Sequence, residues 1–283
     1  MAKYVSITEA LALVKDNDYI VTGLGSAEGR EFMTNLHTIA DRVKGVMVSN
    51  CLPMGAYEFM INPEYKHSFT TEGWFYTPLL RKAHKNGNVS FIPNHLHLAS
   101  KKRLFFREPD IYVGIASMPD KHGYVSLSLS NTYEMAMIKK AKTVILEVNP
   151  NAPRTFGDVQ LHVDEVDYLV NVDYPMPEIA DAVPNEKDLA IGKLIAEMVH
   201  DGDCIQLGIG GIPNAVAASL YGKKNLGVHT EMLTTGMVQL AKAGVINGKC
   251  KQINNGKMVA AFAMGTKELY DFIDDNPAVE ILD

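Results

Sequence analysis

Residues 227–236 read GVHTEMLTTG and hold a single acid, Glu231, between Val228, His229 and Thr230 on one side and Met232, Leu233, Thr234 and Thr235 on the other. A carboxylate in such strand-to-loop sequence can serve as a covalent nucleophile, or it can be a solvated group capping the next helix. A second stretch, CIQLGIGGIPNAV (204–216), reads as a strand entering a helix through Gly208, Gly210 and Gly211, with Pro213 in the first helical turn. Such a junction directs free N–H groups and the positive end of a helix dipole at an anion. It serves equally well as a tight turn where helix meets sheet. The pattern is GxGG with no Lys-Ser/Thr behind it, so it matches neither the dinucleotide fingerprint nor the P-loop. His95 and His97, in NHLHL, share a face if that segment is a strand, but no carboxylate or third histidine adjoins them in sequence, and no metal is assigned.

These residues must be held by regular elements, and a repeat shows how the elements are arranged. DNDYIVTGLG (16–25) and DGDCIQLGIG (201–210) share Asp16/Asp201, Asp18/Asp203, Ile20/Ile205, Gly23/Gly208 and Gly25/Gly210 at a constant offset. Each copy follows an amphipathic helix, marked by Leu11, Leu13 and Val14 in the first and by Ile191, Leu194, Ile195, Met198 and Val199 in the second. Asn185, with Asp188 three residues on, is the expected cap of the second helix. The reading is two related α/β domains, residues 1–183 and 184–283, divided within the proline-rich stretch 174–184. Short apolar runs at 19–24, 46–49, 89–92, 111–115, 143–148 and 168–172 predict a mainly parallel sheet covered by helices. At 120–130 a turn tetrapeptide precedes strict alternation, which predicts a local antiparallel excursion. Setting Gly45-Val46 against Gly227-Val228 aligns Glu231 with Ser49. The first copy runs for about 185 residues and the second has only 98 in this chain of 283, so a truncated second domain with an exposed apolar face is expected.

Composition narrows the function. Hydrophobic residues are 47% and charged residues 21%, the profile of a soluble globular chain. A net charge of -6, with basic runs no longer than Lys101-Lys102-Arg103, argues against nucleic acid as the main partner. Cys51, Cys204 and Cys250 form no CxxC pair, no signal-like segment opens the chain, and no apolar run reaches membrane length, so a cytoplasmic location is expected. The fourteen methionines are core filler or the lining of an adaptable acyl pocket.

Five segments in order, ASMPDKHGYVSLSLSN (116–131), VNPNAPRTFGD (148–158), LGIGGIPNAV (207–216), GVHTEML (227–233) and MGTKELYDF (264–272), resemble the acetyl-CoA hydrolase/transferase family, in particular its 4-hydroxybutyrate and butyryl-CoA:acetate CoA-transferase branch. The resemblance covers the whole chain. It implies two tandem CoA-transferase-type α/β domains, a catalytic glutamate at Glu231, and a coenzyme A loop at Gly208, Ile209, Gly210, Gly211 and Ile212. Members of the family continue beyond this endpoint with a further glycine-rich segment.

The implied chemistry uses no tightly bound cofactor: coenzyme A and its acyl thioesters are substrates, and a short-chain carboxylate such as acetate is the partner. Glu231 would attack the thioester carbonyl to form a mixed anhydride, and the released thiolate would return to give a glutamyl-CoA thioester, followed by the reverse steps with an incoming acid. Met232 and Leu233 are expected to desolvate the carboxylate, and the first domain to supply the carboxylate pocket. A homodimer is the expected assembly. Two alternatives share the scaffold: an acyl-CoA hydrolase, in which water reaches the intermediate, and a non-catalytic acyl-CoA or sugar-phosphate sensor.

Overall fold

The computed structural model describes residues 2–283. The chain forms two compact units, the first taking residues up to Ala152 together with Gln160–Pro175, the second Pro153–Val159 and Met176–Asp283.

In the first unit, strands β1 (Lys3–Tyr4), β2 (Tyr19–Thr22), β3 (Val46–Asn50), β4 (Phe69–Gly73), β5 (Val89–Phe91), β6 (Ile111–Ala116), β8 (Thr143–Val148) and β11 (Tyr168–Asn171) make one parallel sheet in the order β1-β11-β8-β6-β2-β3-β4-β5. Helices α1 (Ile7–Ala12), α2 (Arg30–Asn35), α3 (Glu58–Ile61), α4 (Pro78–Ala83), α5 (Ala99–Phe106) and α6 (Glu134–Ile138) connect the strands. Strand order reverses between β2 and β6, the place where doubly wound sheets open a crevice at their carboxyl ends. Val46, Val48, Ile20, Ile111, Val113 and Ile145 meet Phe32, Phe59, Phe69 and Leu80 in the core. β7 (Tyr124–Ser126) pairs antiparallel with β10 (Gln160–His162), the excursion expected at 120–130. Its turn is built by Asp120, whose Oδ1 accepts from the N–H groups of His122 (2.8 Å) and Tyr124 (2.9 Å). β4 escaped the sequence reading because FTTEG is neither alternating nor continuously apolar. His95 and His97 do not lie on a strand: they flank and enter a 3-10 turn, Leu96–Leu98.

In the second unit, β12 (Cys204–Ile205), β13 (Gly227–Leu233), β14 (Met258–Ala263), β15 (Val279–Ile281) and β9 (Phe156–Gly157) follow one another in a second parallel sheet. The helices are α7 (Glu186–Met198), α8 (Gly211–Ser219), α9 (Thr235–Lys242) and α10 (Lys267–Ile273). Asn185 caps α7 as expected, accepting from the N–H groups of Lys187 and Asp188. The division between the units departs from 183/184. The short stretch 153–159 crosses over because β9 pairs with β15, an approach that requires glycine at 157, where φ is 106° and a Cβ would stand 2.3 Å from the Ile281 carbonyl oxygen. On α7, Leu194 and Met198 are 63% and 75% exposed.

The repeated aspartates do the same work in both units. Asp16 Oδ1 accepts from Lys44 N–H and Asp201 Oδ1 from Lys224 N–H, while Asp18 and Asp203 accept from the N–H groups of Lys15 and His200. Between each pair stands a left-handed residue, Asn17 (φ 61°) or Gly202 (φ 87°). Met47 N–H then bonds the Asp18 carbonyl, and Gly227 N–H bonds the Asp203 carbonyl. These bonds equate Lys44 with Lys224 and Met47 with Gly227, so the counterpart of Glu231 is Cys51, not Ser49. The Gly-Val alignment misled because the matching left-handed turn residue is Gly45 in one unit and Asn225 in the other.

Candidate active site

Glu231 is the fifth of seven residues in β13, well inside the strand rather than beyond it. β13 runs between β12 and β14, and its ladder to β14 pairs Thr230 with Ala260 and Met232 with Phe262, on either side of Glu231. Along the strand only His229 and Glu231 are exposed. The strands advance in one direction across the sheet, so right-handed crossovers put α8, α9 and α10 on the same face, where they pack on one another and α7 packs on α8. Val228, Thr230 and Met232 point to that face and are buried, while His229 and Glu231 point to the other. Among the described residues no hydrogen bond or ion pair engages the Glu231 carboxylate. The expected desolvation by Met232 and Leu233 is not seen: both are buried themselves, and Glu231 remains exposed.

Lys251 braces the strand. Its side chain is buried, and Nζ donates to the carbonyls of Val228 (2.9 Å) and Lys257 (2.8 Å). Burial lowers its pKa. Nothing in the sequence marked it, since a lysine in a polar loop looks solvated.

The glycine segment separates into structural and permissive positions. At Gly211 an added Cβ would meet Asp188 Oδ2 at 2.2 Å, so this glycine admits the carboxylate that caps α7. Gly210 has φ 115° and precedes α8, whose first turn carries no side-chain cap. At Gly208 a Cβ would come no closer than 4.0 Å to Pro213, so no neighbour demands glycine there. Ile209 and Ile212 are exposed. β12 pairs Cys204 with Gly227 and Ile205 with Val228, and its ladder ends there, ahead of the glycines.

A cleft of about 300 Å³ opens at the carboxyl ends of β12, β13 and β14, lined by Ile209 and Gly210, by Thr234 and Thr235, by Asn214 of α8, and by Met264 and Gly265. Residues 179–182 complete its wall, with Ile179 N–H bonded to the Gly265 carbonyl and Asn214 Nδ2 to the Ala182 carbonyl. This is the position at which open parallel sheets receive ligands. Of the expected residues, Ile209 and Gly210 line the cleft; Gly208, Gly211, Ile212 and the exposed Glu231 are not part of its lining. Asn214, Thr234 and Thr235 were within the segments read from sequence but carried no signal of their own.

The chain has relatives among known proteins. The model of the acetyl-CoA hydrolase/transferase N-terminal domain matches residues 1–183. A succinyl-CoA:cyclohexane-1-carboxylate CoA transferase of Geobacter metallireducens is 37% identical over 287 residues, covering 99% of this chain and 63% of that protein. A 4-hydroxybutyrate coenzyme A transferase of Clostridium kluyveri is 36% identical over 282 residues, covering 98% of this chain and 65% of that protein. The chain therefore spans less than two thirds of the length of these relatives. The crystal structure of RipA from Yersinia pestis superposes with a TM-score of 0.93 at 28% identity, over 99% of this chain and 68% of that one. The 4-hydroxybutyrate CoA-transferase of Porphyromonas gingivalis does so with a TM-score of 0.85 at 30% identity, over 99% and 67%. The chain belongs to the acetyl-CoA hydrolase/transferase family.

Proposed function

We propose that this chain carries the nucleophile of a CoA-transferase that moves coenzyme A between a short-chain acyl-CoA and a free carboxylate, with Glu231 as the attacking group. The observation that carries the reading is the state of Glu231: a glutamate inside a parallel strand, where propensity disfavours it, exposed and without a bonding partner among the described residues. A local rule broken without structural return marks a functional position. The names of the relatives, several of them CoA transferases, support the reaction class.

Transfer without ATP must preserve the thioester's energy. Glu231 attacks the acyl carbonyl carbon, the carbon–sulfur bond breaks, and the products are a glutamyl acyl anhydride and CoA thiolate. The thiolate then attacks the glutamyl carbonyl, expelling the donor acid as its carboxylate and leaving glutamyl-CoA; an incoming carboxylate reverses both steps. Each addition develops an oxyanion. Uncapped N–H groups at the start of α8 are suitable donors, each typically worth about 3 to 4 kcal/mol in such a role. Coenzyme A enters as substrate, with Gly208 admitting its thiol end and the cleft its pantetheine arm. The two units are read as tandem CoA-transferase-type domains, only the second of which bears the nucleophile.

The test is chemical trapping in the full-length gene product. Borohydride added after acyl-CoA should reduce the glutamyl thioester to an alcohol at residue 231, and borohydride alone should leave that peptide unchanged. Glu231→Gln should abolish the label and lower transfer by about a thousandfold or more. Labelling elsewhere, or a Gln variant retaining a tenth of the transfer activity, would overturn the assignment.

A further inference from the structure

At the carboxyl ends of β2 and β3 the first unit buries an acid that the proposed transfer does not use. Glu28 is 2% exposed and lies at the β2/β6 crevice, forming a bridge with Gly114 of β6. Its Oε1 accepts from Tyr57 Oη–H and from Met54 N–H (3.2 Å), and its Oε2 accepts from Asn50 Nδ2 at 3.2 Å. No cation is paired with it among the described residues. Burial is the largest influence on the carboxyl and pushes it up to about 7.

Asn50 supplies the second observation. It is 1% exposed, and its Oδ1 has no hydrogen-bond partner. A buried acceptor left unpaired calls for a physical reason. A neutral Glu28 has one more proton to donate, and the unused acceptor belongs to the residue already touching the carboxyl. The two ends of an amide are nearly isosteric, so a turn about its last bond exchanges an N–H donor for a carbonyl acceptor at the same place.

We propose that Glu28 and Asn50 form a proton-operated latch on the loop after β3: neutral Glu28 donates to Asn50 Oδ1, and on losing its proton Glu28 accepts from Asn50 Nδ2 while the loop 51–57 loosens. The step moves one proton from the Oε2 hydroxyl to water and swaps which end of the amide is unpaired, so the two states differ little in hydrogen bonding. They differ in buried charge, which is what loosens the loop.

Several titratable groups face the latch. Tyr57 comes from the loop itself; Glu147 of β8 and Tyr174, beyond β11, act on this cluster through their charge. On the chain's own α2 segment, Glu31 acts on Glu147, and Arg30 stacks 5.5 Å from the Tyr174 ring centroid. The folded-state value of Glu28, about 7, lies above its ordinary 4.5, so the native state holds the extra proton. Stability is full below 4.5 and is lost as pH rises through the window from 4.5 to about 7.

Hydrogen–deuterium exchange of the full chain tests the latch. After correction for intrinsic exchange, protection of residues 50–57 should fall by about tenfold between about pH 6 and about pH 8.5 in the wild type. In Glu28→Gln it should be the same at both. Tyr57→Phe removes a donor to the carboxylate and should move the transition to higher pH. Equal wild-type protection at the two pH values overturns the proposal whatever the variants do. So does a Glu28→Gln protein that keeps the wild-type change or, if that variant does not fold, a Tyr57→Phe transition that does not move. The readout is exchange rather than transfer, so it stands apart from the assignment of Glu231.

Discussion

Glu147 and Glu231 are the same residue type on parallel strands of two sheets, and their surroundings are opposite. Glu147 on β8 is wholly buried and fully used: it accepts from the N–H groups of Phe32 (2.7 Å) and Glu31 (3.1 Å) in the first turn of α2, and from Tyr174 Oη–H at 2.6 Å. It caps a helix from across the sheet, and burial pushes its carboxyl up to about 7. Glu231 on β13 is exposed and has no hydrogen-bond or ion-pair partner among the described residues. A perturbed carboxyl is therefore not by itself a sign of catalysis in this molecule. Both Glu147 oxygens are held in place, Oε1 by Phe32 N–H and Oε2 by Glu31 N–H and Tyr174 Oη–H, and burial keeps them from a substrate, whereas the Glu231 carboxylate is exposed.

The largest expected effect separates the two acids by stability. Glu147→Ala strands two buried N–H donors and a tyrosine hydroxyl and opens a cavity, and should cost about 3 to 5 kcal/mol in urea unfolding. Glu231→Ala should stay within about 0.5 kcal/mol of wild type, as surface changes do. Equal losses at the two positions would break the contrast. A smaller effect is expected at the brace of β13. Lys251→Met keeps the aliphatic stem but leaves the Val228 and Lys257 carbonyls without their donor, and should cost about 1 to 3 kcal/mol by the same measurement. A stability unchanged from wild type would show that Lys251 does not hold the strand. The smallest effect sharpens the comparison within the glycine segment. Gly211→Ala collides with Asp188 Oδ2 and should cost about 1 kcal/mol through the lost cap of α7. Gly208→Ala meets no neighbour and should leave stability within about 0.5 kcal/mol, yet weaken coenzyme A binding by about tenfold or more if ligand passes there, as calorimetry would show. Unchanged affinity in Gly208→Ala would return that glycine to the role of a turn.

Much of this protein was determined by sequence alone, because the relevant signals are local. Short apolar runs marked most strands of the first sheet, since a strand covered on both faces needs apolar residues throughout. Asn185 and Asp188 marked the start of α7, since a cap bonds within three residues. The motif order identified the family, and the Asp16/Asp201 repeat marked a turn used twice. Only the tertiary structure decided the rest. Whether Glu231 faces packed helices or the open side depends on which way the crossovers run, which no local pattern states. The roles of Glu28 and Glu147 depend on donors from distant parts of the chain: Tyr57 and Asn50 for one, α2 and Tyr174 for the other. The alignment of Glu231 with Cys51 needed the backbone bonds across two turns, because left-handed geometry accepts either Gly45 or Asn225 and sequence identity does not distinguish them. A side chain's neighbours along the chain set its element, and its neighbours across the sheet set its chemistry.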